Sequence, residues 1–555
     1  MRIALAQINP VVGDIVGNSD RIAARIAEAK GQGAQLIVFP ELSVIGYPPR
    51  DLLAKHRFLA DSEAAIARLA RVCTGITALV GFARTNPEAS GRPLQNAAAV
   101  LADGVVKHVH VKTLLPTYDV FDETRYFEPG REPGLLDVAG TRIGLSVCED
   151  LWDATALGRG LYADDPVAVL ARGGARVIIN MAASPFEVDK ATLREELFAR
   201  QAQRSGATIV YVNQVGGNDE LIFDGSSCVT APDGGLLGRA ASFREDLLIV
   251  DTDSPGRCEE LDDEISRLAE ALKLGLRDFV HKCSLRDVVL GLSGGIDSAV
   301  VATLAADALG PEHVLALAMP SRYSSDHSLA DARTLASNLG IHLEEIGIEA
   351  VHHAFEQTLA ARLANGSAGG ADENIQARVR GTIVMAYSNA FGHLALATGN
   401  KSELSTGYCT LYGDMAGGLA PIGDVLKTTV YELARWFNAT ADAQRIPRSS
   451  IEKPPSAELK PNQTDQDKLP PYDLLDQVLT RYVEEDRTAE QIVAEGFDPG
   501  LVEYTIRLVD GSEFKRKQAA PVLKVSPRAF GTGRRMPIAQ RYRPVDIKEA
   551  PRRNE

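Results

Sequence analysis

Three reactive side chains in the first half of this chain each come directly after a stretch that reads as a strand. Glu41 follows Leu36-Ile37-Val38-Phe39-Pro40, Lys112 follows Val105 to Val111, and Cys148 follows Arg142 to Val147. A thiol, a cation and a carboxylate are the parts of an amide-cleaving site. Cysteine attacks carbon as a thiolate, and a cation such as Lys112 lowers a thiol pKa and steadies a tetrahedral oxyanion. Glu41 can take the thiol proton and give it to departing ammonia. Singly, Cys148 reads as inert core, Glu41 as a helix cap and Lys112 as a solvated charge. Three such groups at three strand ends favour one shared site. The second half carries a different device. Val288 to Leu292, which contains Gly291, runs into Ser293-Gly294-Gly295-Ile296-Asp297-Ser298, and Ala299 to Leu309 reads as a helix. Strand, glycine turn and helix N-terminus gather unpaired N–H groups at the positive end of a helix dipole, which suits phosphate. Gly294 and Gly295 allow close backbone approach, Ser293 and Ser298 add hydroxyls, and Asp297 is of the type that binds magnesium. The loop lacks the lysine of Gly-x-x-x-x-Gly-Lys-Ser/Thr, which excludes that kind of ATPase. The plain alternative is a glycine turn that merely opens a helix.

The elements that must hold these groups follow from periodicity. Arg2 to Ile8, Ala78 to Phe82, Asn96 to Leu101, Val177 to Met181 and Thr208 to Asn213 read as further strands. Helical spacing appears over Asp20 to Lys30, Ser62 to Arg71 and Lys190 to Ser205, so an α/β layered domain is expected. The character changes after Asp251-Thr252-Asp253-Ser254-Pro255-Gly256. Leu261 to Lys282 has leucines at helical spacing, interrupted by Gly275; a docking helix and the first helix of a second domain both fit. Beyond the phosphate loop, strands at His313 to Met319 and Leu343 to Ile348 with a helix through Leu329 to Leu339 predict a parallel sheet with ligands at its C-terminal edge. Asn374 to Arg380 puts polar and basic groups at a helix start. Leu394 to Glu403 predicts a strand and a polar turn suited to an anion, and Leu411 to Gly418 is too glycine-rich to be only a helix. Glu403 and Asp414 can be magnesium or substrate carboxylates, or solvated loop residues. Ser449 to Tyr472 predicts a long loop of the kind that serves as a lid. The basic runs at Phe514 to Gln518 and Arg534-Arg535 fit dinucleotide phosphates or an ordinary charged surface, and the tail Asp546 to Glu555 is expected to be disordered.

At 555 residues the chain exceeds one hydrophobic core. Its net charge of −15 argues against a general nucleic-acid surface. Neither a signal peptide nor a membrane-spanning run is expected. Six scattered cysteines without metal-like spacing fit a reducing compartment, which predicts a cytoplasmic protein.

Residues 1–252 resemble the nitrilase family of carbon–nitrogen hydrolases through Phe39-Pro40-Glu41-Leu42, Lys112-Thr113-Leu114-Leu115-Pro116 and Val147-Cys148-Glu149-Asp150-Leu151-Trp152. That resemblance implies base, cation and nucleophile roles for Glu41, Lys112 and Cys148, and glutamine contacts at Tyr118, Glu149 and Ser184. The Ser293 loop resembles the pyrophosphate-gripping loop of the ATP pyrophosphatase ligases. With the Ala397-to-Glu403 and Tyr412-to-Gly418 turns and Lys427, residues 285–538 look like the synthetase domain of glutamine-dependent NAD⁺ synthetases. The implied fold class is α/β: a nitrilase-like α-β-β-α sandwich (1–255), a connector helix (256–284), a Rossmann-like parallel-sheet domain (285–545) and a charged tail (546–555). Further implications are ATP bound at Gly291, Ser293, Gly294, Gly295, Asp297, Ser298 and Thr398, and Mg²⁺ held by Asp297 and Glu403. Deamido-NAD⁺ (nicotinic acid adenine dinucleotide) would be bound by Arg378, Asp414, Lys427 and Lys515. The implied reaction is amidation of deamido-NAD⁺ with ammonia from glutamine, through an adenylate, in a homo-oligomer. A different amidotransferase would keep Cys148 and the Ser293 loop, whereas a glutamine or dinucleotide sensor would not need Glu41, Lys112 and Cys148 together.

Overall fold

The computed structural model describes residues 1–158, 160–363 and 370–542, and the chain divides into two compact units, Met1–Glu264 and Ile265–Glu555. The expected tail, Asp546 to Glu555, lies outside the described residues.

Two six-stranded sheets form the N-terminal unit. The first has the order Asp246–Asp251, Arg2–Gln7, Leu36–Val38, Thr77–Thr85, Leu94–Ala102, Val105–Val111, with the second to fourth strands mutually parallel. The second runs Leu236–Arg239, Cys228–Thr230, Thr208–Asn213, Val177–Ala182, Thr141–Val147, Gly134–Val138, with a parallel centre. Side chains alternate across a strand, so a strand covered on both faces must be apolar at every position. Ile3 to Ala6 of strand Arg2–Gln7 obey this rule: Ala4 and Ala6 pack with Ile22, Ile26, Ile66 and Leu69 of the helices Ile15–Gly31 and His56–Val72. Ile3 and Leu5 turn the other way, into the core shared with Leu145, Val147 and Ile179 of the second sheet. Helices Pro166–Arg172 and Lys190–Ser205 bring Leu170, Leu197 and Phe198 into that core. The layers are therefore α-β-β-α. Six strands, Gly134–Val138 and the five from Val215 to Asp251, were not expected from periodicity, because most are short and polar residues interrupt them.

In the C-terminal unit the four-stranded sheet is wholly parallel, ordered His342–Glu345, Val314–Ala318, Val288–Gly291, Leu394–Leu396. The chain steps outward twice from Val288–Gly291 and then returns to its other side, so that strand borders the switch point where open α/β sheets bind ligands. Helix Glu264–Lys282 runs unbroken through Gly275, which is buried with Leu272 and Leu276. It packs on helix Lys427–Ala439, where Trp436 donates to Ser266 Oγ at 2.9 Å and Lys273 lies over the indole ring. The stretch from Ser449 to Tyr472 contains helix Arg448–Glu452 and a single turn at Asp465–Asp467, with irregular chain between them.

Candidate functional sites

In the N-terminal unit the two sheets deliver their reactive groups to one place. Glu41 and Lys112 leave the first sheet and Cys148 leaves the second, and all three are buried. Lys112 Nζ donates to Glu41 Oε1 at 2.7 Å and to Glu123 Oε1 at 2.9 Å. Glu41 also accepts from Asn96 Nδ2 at 2.7 Å and from the Ala183 N–H at 3.2 Å. Tyr47 donates to Glu123 at 3.0 Å. Burial pushes the Lys112 ammonium towards neutrality, but Glu123 and Glu41 overcome it and hold the group well above its usual range. Burial raises Glu123 to about 7, against the pull of Lys112. Buried charge is expensive in stability, so such a triad marks function more than stability.

Cys148 opens the single turn Cys148–Leu151 with φ +44°, a left-handed backbone that non-glycine residues rarely adopt. Strain of this kind concentrates at reactive sites. The sequence led to the expectation that Lys112 would draw the thiol pKa down. In the structure Lys112 does act in that direction, but burial and Glu41 outweigh it and hold Cys148 well above the ordinary thiol value. Lys112 already shares its charge between two carboxylates, so its pull on the Cys148 thiol is outweighed. Glu149 accepts from Tyr118 at 2.9 and 3.0 Å and from Tyr162 at 2.9 Å, and burial raises its pKa. Ser184 is buried and tied through its backbone to Asn213. Periodicity missed Glu123, which opens the single turn Glu123–Arg125, and Tyr162, which lies on irregular chain; neither spacing nor a flanking strand singles them out.

In the C-terminal unit, Val288–Gly291 feeds the Ser293 loop and helix Ile296–Leu309. Gly294 has φ +77°, and a Cβ there would collide with the Ser328 backbone. Ser298 Oγ accepts from the Ser293 N–H at 3.3 Å and donates to the Gly295 carbonyl at 3.1 Å, which ties the loop to itself. A cleft of about 300 Å³ opens over this loop, lined by Gly291, Ser293, Gly295, Asp297, Ser298, Thr398, Glu403, Asp414 and Lys427. Gly294 stays behind it. Lys427 is buried, bonds Asp297, and lies 3.4 Å from Glu403 and 5.4 Å from the centre of the Tyr472 ring. Asn400 Nδ2 donates to Asp297 at 2.8 Å, and its Oδ1 caps the N-terminus of the helix Lys401–Thr406 that carries Glu403. Burial and the nearby Asp297 push Glu403 up to about 8. Asp414 is open to the cleft but crowded by protein, and its lost hydration raises it to about 6.

Asp297 and Glu403 bring hard oxygen donors together around a position already occupied by positive charge, the Lys427 ammonium. The donor set suits Mg²⁺. Two other expected residues lie outside the cleft lining. Arg378 is exposed and donates to the Leu411 carbonyl at 3.1 Å. Lys515 gives its ammonium to the carbonyls of Gly407 and Cys409 at 2.6 and 2.7 Å. Arg380, two residues on, does line the cleft, donates to the Met319 carbonyl at 3.0 Å, and is lowered by burial. Helical periodicity separates Arg378 from Arg380 only once the buried face is known. Of the other basic groups in those runs, Arg516 and Arg534 are buried in ion pairs with Glu513 and Asp510, whereas Lys517 and Arg535 are exposed.

The chain matches the carbon-nitrogen hydrolase family over residues 2–258 and the NAD synthase family over residues 268–519. It is 46% identical over 554 residues to the glutamine-dependent NAD(+) synthetase of a Synechocystis species, covering 98% of this chain and 99% of that protein. Among solved structures it resembles the glutamine-dependent NAD+ synthetase of Acinetobacter baumannii in complex with ADP, at 40% identity and a TM-score of 0.77, over 97% of this chain and 98% of that one. It shares its fold with the enzyme from Cytophaga hutchinsonii, at 24% identity and a TM-score of 0.82, over 97% and 98% of the two chains. The chain belongs to the family of glutamine-dependent NAD(+) synthetases.

Proposed function

We propose that this chain amidates deamido-NAD⁺ to NAD⁺ with ammonia released from glutamine, using ATP and producing AMP, pyrophosphate and glutamate. The observation that carries the reading is the pairing, on one chain, of a buried Glu41–Lys112–Cys148 site with a phosphate-loop cleft built around Lys427. The full-length match to relatives of that activity supports it.

In the N-terminal site, the Cys148 thiol gives its proton to Glu41 as sulfur attacks the glutamine amide carbon. Lys112 stabilises the developing oxyanion, and Tyr118, Glu149 and Ser184 hold the amino-acid end. Glu41 returns the proton to ammonia as the carbon–nitrogen bond breaks, leaving a thioester that water then opens to glutamate. In the C-terminal cleft the nicotinate carboxylate attacks the α-phosphate, pyrophosphate leaves, and ammonia displaces AMP. The Ser293 loop would cradle phosphate with its N–H groups and hydroxyls, with Thr398 beside the nucleotide. Lys427 would meet negative charge as it develops, and Asp414 would face the pyridine ring. Arg378 and Lys515 are assigned to the dinucleotide by resemblance alone. Asp297 and Glu403 would hold Mg²⁺, which supplies charge neutralisation along the phosphates when bound.

Six free cysteines support a reducing, cytoplasmic setting, and among the described residues no helix is long and apolar enough to cross a membrane. A homo-oligomer is proposed from family resemblance, with light scattering as its test. The reaction is tested by incubating the protein with Mg-ATP, deamido-NAD⁺ and amide-¹⁵N glutamine, with and without excess unlabelled ammonium. Labelled NAD⁺ with AMP and pyrophosphate is the expected product set. Glutamate without NAD⁺ would redirect the synthetase half to another acid.

A further inference from the structure

Asp150 belongs to the Cys148-Glu149-Asp150 run, yet the cycle above gives it no task. Its carboxylate is 1% exposed and meets three backbone N–H groups. Oδ1 accepts from Thr113 at 3.1 Å and from Leu114 at 2.7 Å, and Oδ2 accepts from Val147 at 2.9 Å. These donors belong to different sheets. Thr113 and Leu114 directly follow Lys112, where the chain leaves the first sheet, while Val147 ends its strand in the second sheet directly before Cys148. Past a strand end the ladder no longer supplies acceptors, and a buried N–H without a partner costs the full desolvation of that group. A single carboxylate therefore straps together the two backbone segments that carry the cation and the nucleophile.

We propose that Asp150 is a positioning residue for the glutaminase half-reaction, setting the separation of Lys112 and Cys148 across the two sheets without touching substrate. This rests on the reading of Cys148 as nucleophile. Both oxygens are engaged: Leu114 donates to Oδ1, Val147 to Oδ2, and the Thr113 N–H also reaches Oδ2 at 3.4 Å. An amide has one acceptor and would turn an NH₂ group towards a backbone N–H.

The test is Asp150→Asn in the full chain, read in three assays beside wild type and Cys148→Ala. Glutaminase kcat should fall about a hundredfold, the scale of a misplacement near 1 Å. Alkylation of Cys148 by iodoacetamide, which probes the thiol without the glutamine contacts, should slow by about tenfold. Ammonia-supported synthesis should match wild type. Unchanged kcat, or a kcat loss with unchanged alkylation, overturns the proposal; the second result would place the effect in the glutamine pocket. If Asp150→Asn does not accumulate as folded protein, Asp150→Glu takes its place: it keeps the carboxylate but shifts it by one methylene. The same paired losses are expected, and wild-type rates in both assays overturn the proposal. Retained glutamine-supported synthesis in Cys148→Ala would instead remove the reading on which it rests.

Discussion

The candidate site of each unit holds a buried lysine between two carboxylates, and the two arrangements differ in their access to solvent. Lys112 sits between Glu41 and Glu123, sealed from solvent and bonded at 2.7 and 2.9 Å. Lys427 sits between Asp297 and Glu403 on the wall of an open cleft. In the first trio burial still raises Glu123 to about 7, its Oε2 has no hydrogen-bond partner, and the neighbouring Cys148 thiol is held well above its ordinary value. The second is poised. Burial and the nearby Asp297 push Glu403 up to about 8 against the pull of Lys427, and the cleft leaves room beside these carboxylates. Sealing suits chemistry that passes a proton back and forth within the site; openness suits a polyanionic substrate that brings its own charge and counter-ion.

This contrast is sharpest when each site is disabled alone. Cys148→Ala should lower glutamine-supported synthesis by about 10⁴-fold or more while ammonia-supported synthesis persists, measured by NAD⁺ formation with either nitrogen source. Equal loss with both would mean the N-terminal site does more than supply ammonia. Asp297→Ala should cut synthesis from both sources by about 10³-fold, with glutamine hydrolysis alone as the control. Survival of ammonia-supported synthesis in that variant would remove Asp297 from the adenylation step.

Dehydration makes a thermodynamic prediction for the sealed site. Burial raises both Glu123 and Asp150 to about 7. Folded protein then keeps protons that the unfolded chain releases near the ordinary carboxylate pKa of about 4. Stability of the N-terminal unit should therefore be fullest at the acidic end, fall as pH rises towards 7, and level beyond. Each group contributes at most about 1.4 kcal/mol per pH unit. Thermal melts across this range would measure the slope, and Glu123→Gln should flatten it. The smallest effect concerns Lys515. Lys515→Met strips two carbonyls of a charged donor, at a cost of about 1.5–3 kcal/mol, visible in denaturant melts. The Michaelis constant for deamido-NAD⁺ in the same variant separates a carbonyl clamp from a phosphate contact.

Legibility followed local regularity. Glu41, Lys112 and Cys148 were readable because each follows a strand, and the Ser293 loop because its glycines, strand and helix are contiguous. Helix Lys190–Ser205 and strand Thr208–Asn213 appear where periodicity placed them, since their buried faces repeat, and strand Val105–Val111 appears there too although most of it is exposed. Gly275 was a misleading signal: its missing side chain weakens propensity by about 1 kcal/mol, less than the packing of its helix recovers. Glu123 and Arg380 left no comparable trace. Glu123 matters because the single turn Glu123–Arg125 brings it to Lys112, and Arg380 differs from Arg378 only in which side of a helix meets the cleft.

Residue order was enough to establish the two chemistries, their assignment to separate halves, and the strand ends that carry them, because periodicity and turn residues act over a few neighbours. Folding across long separations established the rest: the second carboxylate on Lys112, the raised pKa of the Cys148 thiol, the commitment of Lys515 to carbonyls, and the strap at Asp150. These depend on distance and on the removal of water, and neither is set until distant segments pack.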